Sequence, residues 1–460
     1  MERSLRLSGY IEAERDRIIE TLFDYLRIPS ISSQPDHAAD VRRSADFTAA
    51  LLYEAGLDNV EILETDGAPS VYADWLHAGD GAPTAVVYGH HDVQPVDPLD
   101  AWTSPPFEPV IVDGECRARG AVDDKGQVLY EIEAVRGLLQ TEGSIPCNVK
   151  FLIEGEEEVG SPHFEALLER ERERLACDVV VVSDTGMWSN DVPSFCTGMR
   201  GLVAFDVHIR TARIDLHSGS FGGAVPNPAH LAARLVAALH DDAGRVAVPG
   251  FYDDVRPLLP AEKESFERLP FDAEQWREMA GTVALVGEEG FSTLERIWAR
   301  PTCDVVGITV GYGGLGIKTI VPAEANVKVS FRLVADQSPV KVADAFERWV
   351  HEVLPDWAEV RIERMGGVAA ALTPADHPAV AALRSAIGRV FGTEPLLTRE
   401  GGSGPEEALA RVLAAPVLYL GVGLPDDRFH APNERMIMDM FWKGLLSAGE
   451  LWHDLRATLS

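Results

Sequence analysis

The stretch Ala85-Val-Val-Tyr-Gly-His-His-Asp-Val-Gln-Pro95 governs the interpretation of the whole chain. An apolar run ends in a glycine, and His90, His91 and Asp92 follow before a proline. The pattern predicts a buried strand whose exit presents an imidazole and a carboxylate at a sheet edge, where the sites of open α/β sheets form. Histidine is the commonest metal ligand, and a carboxylate two residues away can orient its second ring nitrogen. The alternative is a loop with two ordinary histidines.

Length and charge limit the classes of protein to which the chain can belong. With 460 residues the chain is too long for one ordinary core, so we expect two domains. Its 73 acidic and 41 basic side chains give a formal net charge of −32. A field of this sign repels nucleic acid and anionic membranes, so we expect neither as a partner.

The cysteines and the N-terminus indicate a cytoplasmic protein. The five cysteines are scattered and lack C-x-x-C spacing, which argues against a disulfide framework and a zinc knuckle. The first ten residues contain no apolar core of signal-peptide length. No apolar run approaches the roughly 18 residues needed to cross a bilayer.

Helical and strand patterns alternate along the first part of the chain and predict an α/β fold. Helical spacing occurs at 10–28, 40–55 and 126–140, and β-rich segments lie at 60–63, 71–75, 85–89, 148–153 and 178–184. This alternation favours a mixed, mostly parallel twisted sheet flanked by helices.

The pattern changes near residue 198 to segments with alternating apolar and polar residues, which are typical of antiparallel strands with one exposed face. Residues 202–209 and 326–333 alternate in this way, and a mixed region lies between them at 250–300. We predict an α+β domain over 200–375, inserted into a first domain that is formed by 1–199 and 376–460.

Carboxylates follow several predicted strands. Asp123 and Asp124 lie in Arg119-Gly-Ala-Val-Asp-Asp-Lys-Gly126 before a long helix, where simple N-capping is the alternative explanation. Glu154-Gly-Glu-Glu-Glu158 follows the strand at 148–153, and an exposed acidic loop usually explains such a run.

The candidate ligands recur at the ends of predicted strands, and they are His90, Asp123, Glu158 and Asp184. Strand ends of one sheet converge on one edge, so a shared cation site is the economical explanation. His430 follows a strand of the returning first domain and is a fifth candidate, although a loop histidine is more often a surface residue.

Five motifs resemble those of the M20 family of zinc peptidases, most closely the dipeptidase branch with the carnosinase and cytosolic non-specific dipeptidase group. They are Gly89-His90-x-Asp92-Val-Gln-Pro95, Arg119-Gly-x-x-Asp123-Asp-Lys-Gly126, Glu154-Gly-x-Glu157-Glu158-x-Gly-Ser161, Ser183-Asp184 and His430-x-x-Asn433-Glu434. The match covers nearly the whole chain. One such motif is weak evidence, whereas five in the family's order are strong evidence.

The resemblance implies a site for two divalent metal ions per chain. His90 and Asp184 would hold one ion and Glu158 and His430 the other, with Asp123 bridging them. Zinc is the expected metal, and manganese and cobalt are alternatives because carboxylate and histidine ligands accept all three.

The resemblance also implies how the reaction is assisted. Asp92 would orient His90, and Glu157 would be the general base that deprotonates the water held between the ions. The inserted domain would serve as a lid and for dimerisation.

Four further residues match substrate-binding positions of the family, and they are His217, Thr319, Arg332 and Ser403. His217 would bind the substrate carbonyl oxygen, and in dimeric relatives this histidine comes from the partner subunit, which implies a homodimer. Thr319, Arg332 and Ser403 would bind the substrate carboxylate. A plain loop histidine and an exposed strand arginine are the alternatives for His217 and Arg332.

One segment departs from the family pattern. After Ser403 the chain continues Gly404-Pro-Glu-Glu407, where relatives usually have an apolar residue, proline and another apolar residue. The extra acidic pair leaves the exact substrate open. His91 matches a variable position and is not expected to be a ligand.

The implied function is metal-dependent hydrolysis of the amide bond of dipeptides or short peptides. Within the family, the alternative is an amidohydrolase that acts on N-acyl or N-succinyl amino acids. A different class, a silent binding protein on the same fold, would require loss of a ligand or of the base, and all of these residues are present.

Overall fold

The computed structural model describes residues 2–459, with side chains from Leu5 onward. Its helices are α1 (Glu2–Leu26), α2 (Ala38–Glu54), α3 (Lys125–Glu142), α4 (Phe164–Arg170), α5 (Ser218–Phe221), α6 (Pro228–Ala237), α7 (Pro260–Arg268), α8 (Ala273–Met279), α9 (Thr293–Trp298), α10 (Pro339–Val353), α11 (Pro378–Phe391), α12 (Glu406–Leu413) and α13 (Met438–Leu459). Its strands are β1 (Asp58–Leu63), β2 (Ser70–Trp75), β3 (Thr84–His90), β4 (Val110–Val112), β5 (Glu115–Arg117), β6 (Asn148–Glu154), β7 (Val179–Val182), β8 (Ser194–Met199), β9 (Gly201–Arg210), β10 (Leu216–His217), β11 (Thr302–Val310), β12 (Ile320–Val321), β13 (Glu324–Leu333), β14 (Glu359–Val368), β15 (Ala371–Leu372), β16 (Leu396–Glu400), β17 (Val417–Tyr419) and β18 (Arg435–Ile437).

A six-stranded mixed sheet organises the first domain, in the order β1-β2-β6-β3-β7-β17. The four strands from β6 to β17 run parallel, and β1 and β2 run antiparallel at one edge. Both faces of the sheet are covered, because alternate residues of β3 enter two different cores. Ala85 and Val87 pack with helices α1, α3, α11 and α13, whereas Val86 and Tyr88 pack with α4 and α12. The predicted α/β class, with a mixed and mostly parallel sheet between helices, is confirmed.

A four-stranded antiparallel sheet forms from residues within 201–368, in the order β11-β13-β9-β14. Burial alternates along β9, as the sequence pattern predicts for a sheet with one covered face. Helices α6 and α10 cover that face, where Leu235 and Phe346 pack against Val207, Val327 and Phe331. This α+β unit is inserted between β8 and β15.

The region 250–300 behaves differently from the rest of the insertion. It contains the three short helices α7, α8 and α9, and α7 and α9 contact β16 of the returning chain. Strand β16 pairs in parallel with β8, and β15 pairs with the other side of β8. The insertion therefore contacts the first domain through a helical arm, α7 to α9, as well as through the two chain connections.

No helix within residues 2–459 combines the length and apolar character needed to span a bilayer. The five cysteines are free thiols, and four of them are buried.

The first prediction concerns Glu131, a fully buried carboxyl on α3. It accepts one hydrogen bond, from Ser183 Oγ at 2.9 Å, and its Oε2 has no hydrogen-bond partner. Burial raises its pKa to about 8, although the hydrogen bond from Ser183 opposes the shift. The folded state therefore keeps a proton that the unfolded chain has already lost above pH 4.5, so stability should fall as the pH rises from about 5 through 8.

Glu131→Gln should reduce the loss of stability between about pH 5 and 8, because the amide does not titrate. The free energy of unfolding of the parent protein should fall by about 1 kcal/mol per pH unit more than that of the variant. Urea denaturation of both proteins at pH 5.5, 7 and 8 measures the difference, with the exposed Glu363→Gln as control. Parallel pH curves for Glu131→Gln and the parent would contradict the prediction.

Candidate metal centre

Three parallel strands bring candidate ligands to one edge of the six-stranded sheet. His90 is the last residue of β3, Glu157 and Glu158 form a turn just after β6, and Asp184 follows the end of β7. Because β6, β3 and β7 are adjacent and parallel, their carboxyl ends open on the same side. The predicted convergence of these strand ends is correct.

Asp123 reaches this edge by a different route from the one predicted. It does not follow a strand of the six-stranded sheet, because the preceding strand β5 pairs with β4 and β18 in a separate small sheet. Asp123 instead lies in the loop between β5 and the start of α3. The loop crosses the ends of the parallel strands and places its carboxylate among them.

The Asp123 carboxylate lies between two histidines. Its Oδ1 is 3.0 Å from His90 Nε2, and its Oδ2 is 2.9 Å from His430 Nε2. His90 Nε2 also lies 3.5 Å from Asp184 Oδ2, and His430 Nε2 lies 3.4 Å from Glu158 Oε2. Each histidine thus shares Asp123 with the other and has a second carboxylate of its own.

This arrangement of donors fits divalent cations. Among residues 2–459, two groups have ligand atoms within 4.8 Å of one another, namely His90 with Asp123 and Glu158, and His90 with Glu157 and Asp184. Imidazole and carboxylate ligands together suit zinc, manganese and cobalt. Because Glu157 belongs to the second group, it lies within reach of a cation that Asp184 and His90 could hold.

The electrostatics of the cluster lead to the same conclusion. Burial and the nearby Asp123 carboxylate raise the pKa of Glu158 to about 10. Burial, together with Asp184, also raises the pKa of Glu157 well above its ordinary value, although His90 opposes this. Buried carboxylates this close together need protons or a cation to neutralise them. A divalent cation can replace those protons.

Asp92 connects the ligands on the two sides of the cluster. His90 Nδ1 lies 3.1 Å from the Asp92 carbonyl oxygen and 3.3 Å from its Oδ1. The Glu158 backbone N–H donates to Asp92 Oδ2 at 3.2 Å. Asp92 therefore orients the imidazole of one candidate ligand and fixes the backbone of another.

The second aspartate of the Asp123-Asp124 pair also contacts the site backbone. Asp124 occupies the N-cap position of α3, but its side chain makes no capping hydrogen bond. Its Oδ2 accepts from the His90 backbone N–H at 3.1 Å instead. Asp124 therefore does not act as a side-chain N-cap of α3, which was the alternative explanation for this acidic pair. The neighbouring His91 ring contacts the Pro69 carbonyl oxygen at 2.9 Å.

The substrate-binding candidates lie in two pairs. Arg332 Nη1 donates to Ser403 Oγ at 2.9 Å, and Ser403 Oγ donates to the Arg200 carbonyl oxygen at 2.6 Å. His217 ends β10 and Thr319 directly precedes β12, and both side chains are exposed. The Ser218 N–H donates to the Thr319 carbonyl oxygen at 3.0 Å. Neither His217 nor Thr319 is among the residues that line the cavity beside the metal cluster.

That cavity has a volume of about 520 Å³ and is bordered by Asp123, Glu157, Asp184 and His430. Its other walls include Trp188 and Trp298, neither of which belongs to a motif of the sequence. Trp188 follows Asp184 by four residues, so proximity to a candidate ligand was an available signal. Trp298 lies in the mixed region 250–300, and no sequence pattern connects that region with the site.

Gln94 and Glu434 also support the cluster, and only their membership in motifs pointed to them. Gln94 Nε2 donates to Glu158 Oε2 at 2.7 Å. The buried Glu434 carboxylate accepts from Arg119 Nη1 at 2.5 Å and from the backbone N–H groups of Gly120, Val122 and Asp123 at 3.0–3.1 Å. One carboxylate thus holds the loop that carries Asp123, from a position four residues after His430.

We predict that Glu434→Gln weakens both the fold and the metal site. The amide has one acceptor oxygen in place of two and leaves Arg119 without its buried counter-charge, so the loss of unfolding free energy should be about 3 kcal/mol. Thermal unfolding and zinc binding by calorimetry measure the two effects. The exposed Glu363→Gln is the control and should change stability by less than about 0.5 kcal/mol. Unchanged zinc affinity in Glu434→Gln would show that the loop keeps Asp123 in place without this carboxylate.

Comparison with known proteins identifies the relatives of this arrangement. Residues 86–453 match the family model described as peptidase family M20/M25/M40. The human Beta-Ala-His dipeptidase is 31% identical over 452 residues, which cover 93% of this chain and 88% of that protein. A Cys-Gly metallodipeptidase of Schizosaccharomyces pombe is 29% identical, with 97% of both chains covered. The crystal structure of an M20 family metallo-carboxypeptidase from Sulfolobus solfataricus superposes with a TM-score of 0.83 at 31% identity, covering 96% of this chain and 99% of that one. The chain belongs to peptidase family M20/M25/M40.

Proposed function

We propose that this protein is a metal-dependent dipeptidase whose site holds two divalent ions. The observation that carries the proposal is the Asp123 carboxylate, each oxygen of which faces a different histidine. A single carboxylate between two imidazoles suits a bridging ligand of two ions. Relatives named as dipeptidases match more than nine-tenths of the chain and support dipeptides as the substrate class.

The metal ligands in this proposal are His90, Asp123, Glu158, Asp184 and His430. Divalent ions, when bound there, would polarise the scissile carbonyl and lower the pKa of the attacking water. We propose zinc, since imidazole and carboxylate donors suit it, with manganese or cobalt as alternatives.

The remaining chemistry is assigned to Glu157. Its carboxylate borders both the cavity and the metal cluster. In this position it takes the proton from the attacking water and then gives that proton to the leaving amine nitrogen. Asp92 acts indirectly, by keeping the His90 ring in the orientation that a metal ligand requires.

The carboxylate end of the substrate is assigned to Arg332 and Ser403, which already contact each other. The guanidinium provides charge and paired donors, and the hydroxyl adds one more donor if it turns from the Arg200 carbonyl oxygen to the substrate. His217 and Thr319 are exposed and lie away from the cavity, which agrees with a role in a partner subunit's site. On this basis we propose a homodimer in which the insertion of each subunit, over 200–375, supplies His217 and Thr319 to the site of the other subunit. We also propose that the insertion acts as a lid for the domain formed by 1–199 and 376–460. We also propose a cytoplasmic location, in agreement with the free thiols.

Metal removal and replacement tests the reaction class. Chelated protein should show no hydrolysis of dipeptides such as Ala-Gly, β-Ala-His and Cys-Gly, and added zinc, manganese or cobalt should restore it. N-acetyl and N-succinyl amino acids in the same panel test the amidohydrolase alternative, and a tripeptide tests whether longer peptides are also cleaved. Restored activity on the acylated compounds alone would replace the dipeptidase proposal, and a protein that binds no metal would refute it.

Glu157→Gln separates a base from a ligand. If Glu157 is the general base, the variant should bind two zinc ions per chain, as the parent does, and lose at least about 1,000-fold in kcat, because the amide cannot accept the proton. Elemental analysis and dipeptide kinetics measure the two quantities. Glu165→Gln, an exposed carboxylate on α4, is the control. Loss of one zinc ion would instead identify Glu157 as a ligand, and parental kcat would exclude it as the base.

A further inference from the structure

The cavity beside the metal cluster has an apolar wall in which three of six side chains are aromatic. At one end its lining includes Asp123, Glu157 and Asp184, and the wall is formed by Met187, Trp188, Met199, Trp298, Leu424 and Phe429. We propose that this cavity is the binding site for the side chain of the substrate's first residue, and that it selects bulky apolar and aromatic side chains. Trp188 and Trp298 would be the residues that determine this specificity. The inference rests on the proposed dipeptidase function and adds the side-chain class.

The first half of the wall is attached directly to the metal cluster. The segment from Asp184 to Trp188 continues from β7, and the Met187 N–H donates to the Gly423 carbonyl oxygen at 2.7 Å. The Trp188 N–H donates to Ser194 Oγ at 2.8 Å. These bonds fix the backbone that carries Trp188, four residues after the candidate ligand Asp184.

The second half of the wall comes from the helical arm, α7 to α9. Trp298, at the end of α9, meets Trp188 edge to face, with ring centroids 6.3 Å apart and planes at 85°. Phe266 of α7 packs against Trp298 at 5.1 Å, and Phe271 packs against Trp188 at 6.3 Å. Such edge-on aromatic contacts are favourable beyond the apolar area that they bury.

The arm is anchored to the first domain by buried polar contacts. Arg399 of β16 donates to Glu262 of α7 at 2.6 and 2.9 Å, and the two residues are only 6% and 2% exposed. Ser265 Oγ accepts from the Leu397 N–H at 2.6 Å. Because these contacts hold α7 on β16, the aromatic wall is formed before a substrate arrives.

The positions of the charged groups decide which end of the substrate enters the cavity. Arg332 and Ser403, the proposed partners of the substrate carboxylate, are not among the residues lining this cavity. Arg399 does line it, but its guanidinium is already paired with the buried Glu262 carboxylate. A dipeptide with its carboxylate at Arg332 and its amide carbonyl at the metal cluster leaves only the first residue to extend into the cavity. The volume of about 520 Å³ leaves room for a phenylalanine or tryptophan side chain and is largely unfilled by glycine.

Kinetics on paired dipeptides test this proposal. With zinc-loaded protein, kcat/KM for Phe-Gly and Leu-Gly should exceed that for Ala-Gly by about 10- to 100-fold, which is the usual range for extra apolar groups in an apolar pocket. Gly-Phe, with the same composition as Phe-Gly, should be cleaved no better than Ala-Gly. Trp188→Ala and Trp298→Ala should each reduce the ratio of Phe-Gly to Ala-Gly by about 10-fold.

Trp357→Ala is the matched control, because Trp357 is 61% exposed and its loss should leave the ratio unchanged. Trp188→Leu and the melting temperature of every variant separate lost recognition from lost folding, and Trp188→Leu should reduce Phe-Gly more than Leu-Gly. Equal values for Phe-Gly and Ala-Gly in the parent, or a preference for Gly-Phe, would overturn the inference while leaving the dipeptidase proposal intact. Failure to cleave any dipeptide would refute both proposals.

Discussion

Carboxylates crowded at the end of three parallel strands are the constraint on which the site depends. Glu157 and Glu158 lie at or near the same buried edge as Asp123, where burial and the neighbouring carboxylates raise their pKa values and make their charged forms unfavourable. The histidines can provide only part of the compensating positive charge, since two imidazoles, His90 and His430, face the carboxylates of Asp123, Glu157, Glu158 and Asp184. A pair of divalent ions would neutralise the cluster and would at the same time provide the means to activate water. The crowded carboxylates thus lower the stability of the folded chain without a cation, and the same carboxylates would hold the ions that catalysis requires.

The chain keeps this cluster in place through carboxylates that do not themselves contact a candidate metal position. Glu434 binds four donors of the loop that leads to Asp123, and Asp92 joins the ring of His90 to the backbone of Glu158. Asp124 holds the His90 backbone in a similar way. Because Glu434 and His430 follow the insertion in the sequence, the site is complete only when the chain has returned from the insertion and the loop bearing His430 has docked.

Much of the fold and of the site could be predicted from the sequence, because the relevant signals are local. Strands β3, β6 and β7 are short apolar runs that end in polar residues, and the carboxyl ends of parallel strands must meet. The route of Asp123 was not predictable in the same way, since nothing near it shows that β5 belongs to a separate small sheet. The position of Trp298 in the site was not predictable either, because it depends on tertiary contacts. Its contact with Trp188 depends on how α9 folds back on β16, and neither periodicity nor motif spacing records such a contact.

The residues proposed to carry out hydrolysis and those proposed to select the substrate side chain come from different parts of the chain. The metal cluster is built from strand ends and loops of the first domain, whereas half of the aromatic wall comes from the helical arm of the insertion. Substitutions on the arm can therefore change which side chain fits without moving a candidate ligand. The buried pair of Arg399 and Glu262 links the two parts, because Arg399 lies on β16 beside the cavity and Glu262 begins the arm. If the insertion acts as a lid, as proposed, its motion must either keep this pair and bend elsewhere or separate two buried charges, which costs more free energy. If the pair is kept, the side-chain pocket stays formed, and the movement is confined to the antiparallel sheet over 201–368, where Arg332 would have to leave Ser403.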